Sequence, residues 1–167
     1  MGFSGVIIPK VECPKELRVF IDNCLYPPAG TRGVGFCRAN NFGANFESYR
    51  SGEAIAPFIV PMVETKKGLE SLKEVLSHDE VDAIFVGPYD LSCSLGCPAD
   101  FDDQMFREAI EAIIEVARNA SVPSGIHVVD PDPDELEKNI KMGYQFLAYG
   151  MDTVFIKKYG SLPQRFR

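Results

Sequence analysis

The sequence has no excess of basic charge: 17 lysines and arginines stand against 24 aspartates and glutamates, a formal net charge of -7. An acidic field repels phosphate backbones and anionic lipid, which argues against nucleic acid as a partner. No apolar run approaches the roughly 20 residues that span a bilayer, and the first residues lack the basic-then-apolar layout of a secretory signal. The expectation is a soluble, cytoplasmic protein with no membrane partner. Internal repeats and low-complexity tracts are also missing. The cysteines, Cys13, Cys24, Cys37, Cys93 and Cys97, are odd in number and scattered, which argues against a disulfide framework in a chain this large. Cys93 and Cys97 have a C-x-x-x-C spacing open to zinc, but no second Cys or His pair follows at a suitable distance.

What is present is apolar: 46% of 167 residues are hydrophobic, enough to bury a real core and to argue against disorder. Short β-rich runs recur at 5–9, 57–63, 82–86, 124–129 and 145–149. Between them, 14–25, 66–76, 103–120 and 133–142 carry apolar residues three and four apart, as in Phe106, Ile110, Ile113, Ile114 and Ala117. Pro14 and Pro133 stand where a first helical turn tolerates proline, and Gly143 follows Met142 as a stop. Apolar strands alternating with helices predict a parallel sheet covered by helices, either a doubly wound sheet or a barrel. Periodicity leaves both open.

One stretch breaks the rhythm, YPPAGTRGVG at 26–35 running on through RANNFG at 38–43. A long loop in a compact domain is functional or disordered more often than not. Glycine mixed with Arg32, Arg38, Asn40 and Asn41 suits an anionic ligand, and an active-site loop is the expectation here. A surface insertion is the plain alternative.

Two carboxylates stand out by position. Glu64 ends the run FIVPMV at 58–63, and Asp90 follows AIFVGPY at 83–89. In parallel α/β folds ligands bind beyond the carboxyl ends of the strands, and neighbouring strands lie roughly 4.8 Å apart, so two such side chains can share one ion. Oxygen ligands with open positions suit Mg²⁺ or Mn²⁺ and leave room for a bidentate 2-oxo acid. Equally, Glu64 could cap the helix entered at Thr65 and Asp90 the turn at 91–94. Spacing does not choose. Gly87 and Pro88 add a loop in which backbone can approach a ligand and amides can receive a carboxylate.

The runs VET at 63–65 with GLE at 68–70, then VDAIFVGPYDLS at 81–92 with SLG at 94–96, resemble the paired metal-site motifs of HpcH/HpaI-type aldolases. Upstream, GVIIPKV at 5–11 and YPPAGTRGVG at 26–35 look like that family's fourth strand and the loop after its helix. Downstream, GIHVV at 125–129 and FLAYGMDT at 146–153 look like its seventh and eighth strands. The resemblance implies a partial (β/α)8 barrel of the TIM type, strands four to eight, with residues 1–167 forming a single incomplete domain. It also implies a class II, metal-dependent lyase that cleaves 4-hydroxy-2-oxo acids or 2-keto-3-deoxy sugar acids to pyruvate and an aldehyde. By the same resemblance Glu64 and Asp90 hold the metal, Mg²⁺ or Mn²⁺ with Co²⁺ as a further option, while Gly87, Pro88 and Tyr89 line the pyruvate pocket.

A barrel of this type takes roughly 250 residues. The family's first strands supply a histidine base and a pyruvate-binding arginine that have no counterpart in this sequence. Neither His78 nor His127 matches that histidine's motif; His78 falls in a helix-to-strand turn, solvated, and His127 follows a strand, where a packed imidazole is the usual outcome. Met62 replaces a glutamine frequent in the family. A catalytically silent metal- or anion-binding or assembly module is therefore the second reading, and a coenzyme A ester lyase related to the citrate lyase β-subunit the third. Two unpaired strand edges, near 5–9 and 146–149, predict a homo-oligomer.

Overall fold

The computed structural model describes residues 3–50 and 56–160. Five strands, β1 (Gly5–Ile8), β2 (Phe58–Val63), β3 (Ile84–Val86), β4 (Ser124–Val128) and β5 (Phe146–Tyr149), form one sheet in the order β1-β2-β3-β4-β5. Every pairing is parallel. A doubly wound sheet needs a reversal of strand order, and this sheet has none. Right-handed crossovers in one direction put all helices on one face and curl the sheet. The result is a five-stranded parallel half-barrel, which decides the alternative that periodicity leaves open.

The helices are α1 (Pro14–Cys24), α2 (Phe46–Arg50), α3 (Lys66–Val75), α4 (Pro88–Leu95), α5 (Gln104–Asn119), α6 (Pro133–Met142) and α7 (Asp152–Tyr159), with a 3₁₀ turn at Arg38–Gly43. Their ends follow local chemistry. Asp103 caps α5 by accepting from the amides of Met105 (2.7 Å) and Phe106 (3.4 Å), and Asp132 caps α6 by accepting from Asp134 at 2.8 Å, with Pro133 in the first turn. Gly143 ends α6 at φ 103, a left-handed position that glycine takes without strain.

Alternation along the strands sorts side chains onto two faces. Ile8, Ile59, Val63, Ile84, Val86, Ile126 and Leu147 turn to the helices and pack with Leu17, Ile21, Leu72, Val75, Phe106, Ile110, Ile113 and Ala117. The apolar stripe read from α5 is buried in full. The intervening residues, Ile7, Val60, Met62, Phe85 and His127, face the concave side, where Phe85 packs against Phe146 with ring centroids 5.3 Å apart. Val60 and Phe85 are buried there, but among the described residues the sheet's two edges are unpaired: Val6 and Ile7 are 41% and 42% exposed, Phe146 and Tyr149 39% and 37%.

Three expectations need correction. The strands are one or two residues shorter than the sequence predicts at several points; β3, for example, begins at Ile84 rather than 82. Asp82 joins β2 through its carboxylate, which accepts from the Ile59 amide at 2.8 Å, and its own amide, which donates to the Ile59 carbonyl at 3.0 Å. Residues 91–94 are not a turn but part of α4. The glycine-rich segment engages two of its four polar groups within the fold, while Arg38 and Asn41 stay exposed. Arg32 lies over the rings of Tyr26 (4.8 Å) and Tyr49 (5.9 Å), and Asn40 is fully buried, accepting from the amides of Cys37 (2.8 Å) and Gly43 (3.2 Å) and donating to the Gly35 carbonyl (2.8 Å). Among the described residues, this segment's hydrogen bonds return to α1 or to itself.

Ile113, fully buried in the helix-side core, tests that packing. Ile113→Ala is expected to cost about 2–5 kcal/mol through lost transfer energy and the cavity left behind, read from the midpoint shift in urea unfolding.

Candidate active site at the carboxyl edge of the sheet

Glu64 is the first residue past β2 and continues the alternation that puts Val60 and Met62 on the concave side. It is 7% exposed. A carboxylate this buried needs donors, and Oε1 accepts from the backbone N–H of Lys10 at 2.8 Å. Lys10 reaches it from the turn after β1 in a left-handed conformation, φ 51, an unfavourable setting for a side-chain-bearing residue. The helix that follows is capped by Thr65, whose Oγ1 accepts from the Gly68 amide at 3.0 Å. Glu64 is therefore not the cap of α3.

Across the gap, Gly87 sits opposite Glu64, its amide donating to the Val63 carbonyl at 3.2 Å. A Cβ on Gly87 would lie 2.8 Å from Oε2 of Glu64, 3.0 Å from its Cβ and 3.3 Å from the Met62 sulfur. Only glycine lets the carboxylate lie over β3. Gly87 is also the N-cap residue of α4, with Pro88 buried in its first turn. Proline carries no amide hydrogen, so the free donors of that first turn are the amides of Tyr89 and Asp90. The Tyr89 ring is exposed and packs edge-on against Phe101, centroids 5.1 Å apart, so Tyr89 meets the edge of the sheet through its backbone.

Asp90 stands in the first turn of α4, exposed, and its carboxylate has no hydrogen-bond or ion-pair partner among the described residues. It does not cap a turn at 91–94; its carboxylate complements the positive end of the helix. Two bonds hold the loops together. The Lys66 amide donates to Ser94 Oγ at 2.9 Å, tying the start of α3 to the end of α4. Ser92, fully buried, donates to the Tyr89 carbonyl at 2.7 Å and accepts from the Ala99 amide at 2.9 Å. Nearby, the Thr65 side chain and then Lys67 hold the Glu12 carboxyl below its ordinary range.

The remaining candidates fall elsewhere. His78 is half-buried rather than solvated, with Nε2 3.2 Å from the Pro14 carbonyl. His127 lies within β4, not after it, half-buried on the concave side with Nε2 3.1 Å from the Gly150 carbonyl. Burial, then the carboxylates of Asp103 and Asp100, push the Cys97 thiol up, the wrong direction for a zinc thiolate. Among the described residues no three His, Cys, Asp or Glu side chains are grouped to hold a metal. Glu64 and Asp90 are a pair of oxygen donors only. Sequence reading missed the Lys10 amide and the Ser94 tether. A left-handed lysine has no sequence signal, whereas Ser94 does sit in the SLG motif.

A family model described as HpcH/HpaI aldolase/citrate lyase matches residues 1–158. The chain belongs to that family. A 2-keto-3-deoxy-L-rhamnonate aldolase of Klebsiella pneumoniae is 34% identical over 156 residues, 92% of this chain and 57% of that protein. The structure of an HpcH/HpaI aldolase from Desulfitobacterium hafniense superposes with a TM-score of 0.83 at 26% identity, covering 96% of this chain and 65% of that one. A family protein from Burkholderia cenocepacia superposes with a TM-score of 0.85 at 24% identity, over 93% and 61% of the two chains. The chain thus spans a little over half the length of the curated relatives it matches. Among the described residues, no helix is long and apolar enough to cross a membrane.

The close approach at Gly87 has a measurable consequence. Gly87→Ala is expected to destabilise the chain by about 1–3 kcal/mol through overpacking against Glu64. Gly33→Ala, where a Cβ meets nothing within 4 Å, should stay within about 0.5 kcal/mol of the parent. Denaturant titration of both variants separates crowding from a general effect of losing glycine.

Proposed function

We propose that this chain carries the metal and 2-oxo acid part of a carbon–carbon lyase site, acting on 4-hydroxy-2-oxo acids or 2-keto-3-deoxy sugar acids to give pyruvate and an aldehyde. The observation that carries the reading is the pair Glu64 and Asp90: Oε2 of Glu64 and the whole Asp90 carboxylate accept no protein hydrogen bond among the described residues, while backbone contacts fix the elements they stand on. An aspartate and a glutamate oxygen that share an edge and accept no protein hydrogen bond among the described residues are suited to a hard divalent cation.

The donor set fits Mg²⁺ or Mn²⁺, with Co²⁺ as a further option: two carboxylates leave positions for water and a bidentate substrate. When bound, such a cation polarises the 2-oxo group and offsets the charge that develops on its oxygen. The chain's own groups supply the positioning. Lys10, through its amide, orients the Glu64 carboxylate, and Gly87 gives it room over β3. Gly87, Pro88 and Tyr89 line the pyruvate pocket, with the amides of Tyr89 and Asp90 at the positive end of α4 facing the substrate carboxylate. Pro88, buried and lacking an amide hydrogen, keeps that wall rigid and dry.

A second reading takes the carboxylate pair and the α4 amides as a binding site alone. In it the same pocket binds metal and anion without turnover. One experiment separates the two: exchange of the pyruvate methyl protons in D₂O, followed by NMR with and without Mg²⁺ or Mn²⁺. Metal-dependent exchange, lost in Glu64→Gln, supports the lyase; metal binding with no exchange supports the silent module. In either case Glu64→Gln and Asp90→Asn should each weaken Mn²⁺ binding by more than the roughly 10–100-fold typical of changes one layer further out. Calorimetry showing parent-like affinity in both variants would remove the metal site.

The open edges support self-association. Light scattering behind a sizing column should give a mass above the 18.5 kDa of one chain, and Ile7→Lys or Phe146→Lys should lower it. A monomer in the parent chain removes the homo-oligomer.

A further inference from the structure

His127 has no place in the reading above, yet the sheet register brings it to the same row as Glu64. Val63 pairs with Val86 and Val86 with Ile126. One step further along each strand come Glu64, Gly87 and His127, and His127 pairs with Ala148. All lie on the concave side, at the carboxyl edge. Glu64 and His127 are two strands apart, roughly 10 Å at about 4.8 Å per strand. Because Glu64 Oε2 leans over Gly87, the space between carboxylate and imidazole is narrower and bridges β3 alone.

The ring's hydrogen bonding settles which nitrogen is free. Nε2 lies 3.1 Å from the carbonyl oxygen of Gly150. A carbonyl oxygen only accepts, so Nε2 donates and the neutral ring keeps its lone pair on Nδ1. Gly150 is held for that purpose: its own amide donates to the Val128 carbonyl at 2.7 Å, its φ is 69, and a Cβ there would meet the Phe155 ring at 2.4 Å. Phe85 supports the ring from the neighbouring strand, centroids 6.4 Å apart. His127 is half-buried, and its Nδ1 is left without a protein partner among the described residues on the concave side of the sheet.

We propose that Nδ1 of His127 receives the C4 hydroxyl of the 4-hydroxy-2-oxo acid and accepts its proton during cleavage. The inference rests on the carboxylate-pair reading, since it needs the 2-oxo end of the substrate anchored at Glu64 and Asp90, leaving the C4 hydroxyl to extend across β3. The step balances: the hydroxyl proton moves to Nδ1, the C3–C4 bond breaks, C4 with its oxygen leaves as the aldehyde, and the electron pair of the broken bond forms the pyruvate enolate. The proton then returns from Nδ1 to C3, giving pyruvate and the neutral imidazole.

The test joins ¹⁵N-histidine NMR of the Mg²⁺-loaded chain to kinetics. The probes are 4-hydroxy-2-oxopentanoate in excess and 2-oxopentanoate, which lacks the hydroxyl. The free chain should show the proton on Nε2, and the Nδ1 resonance should move with the hydroxylated acid and not with its control. His127→Gln, whose side-chain amide can still donate to the Gly150 carbonyl, should lower kcat for cleavage by about 100-fold, the lower end of the effect of a lost general base, while KM changes little. A proton on Nδ1, equal response to both acids, no response to either, or unchanged kcat overturns the inference. By reversal of the last step, pyruvate methyl exchange in the parent chain needs both the carboxylate pair and a base at C3, whereas the Nδ1 shift reads the imidazole alone. Exchange without a hydroxyl-dependent Nδ1 shift therefore sinks His127 and spares the lyase reading. The shift without exchange sinks the lyase reading and, with it, the proton transfer.

Discussion

The carboxylate of Glu64 lying over a residue without a side chain is the contact on which the carboxyl edge depends. One oxygen is held by the Lys10 amide and the other passes over Gly87 at a distance no Cβ would permit. Two neighbouring loops are thereby committed: the turn after β1 adopts a left-handed lysine to deliver its amide, and the turn after β3 must stay bare. Burying a carboxylate without a cation beside it is costly unless donors replace its water. A single backbone N–H leaves Oε2 with unfilled acceptor capacity. That deficit, more than the presence of acidic residues, makes the position a candidate for binding chemistry.

The sheet around it is asymmetric in a way that separates folding from function. The helix side carries the contiguous core, from Ile8 and Leu17 through Ile113 and Ile126, and this side alone decides whether the strands assemble. The concave side holds a smaller aromatic cluster of Phe85, Phe146 and His127, ending at edges whose apolar residues face water. Substitutions on the helix side should act on stability, whereas those on the concave side should act on ligands and association as well as on the packing of its buried residues.

The parallel α/β architecture was legible because it rests on periodicity, which burial enforces: the stripe along α5 read from residues 106–117 is the stripe that is buried. Proline at helix starts was legible for the same local reason. The curl of the sheet was not, since strand order is a property of crossover geometry that local pattern does not carry. In the site, Glu64 and Asp90 were visible by their place after strands, yet the alternatives that each merely caps its own helix or turn were removed only by seeing Thr65 do that work and α4 run through Asp90. The helix α4 itself was hidden because eight residues offer too few turns for an apolar stripe. In the glycine-rich segment, Arg32 and Asn40 suit a ligand by type, but the rings of Tyr26 and Tyr49 and the backbone around Asn40 take them up, leaving Arg38 and Asn41 exposed.

Metal retention and turnover need not fall together in such a layout. The parts that aim Glu64 and Asp90 are backbone contacts between adjacent loops and the Lys66 to Ser94 tether, all within β1 to α4. None of them involves β4 or β5, but the Lys10 amide follows β1, the other edge strand. His127, by contrast, depends on Gly150 and so on the seating of β5, an edge strand with one neighbour. An edge strand frays more readily than an inner one, because half of its backbone groups face solvent. The seating of β5 therefore bears on the imidazole, as the seating of β1 bears on the Glu64 carboxylate through Lys10.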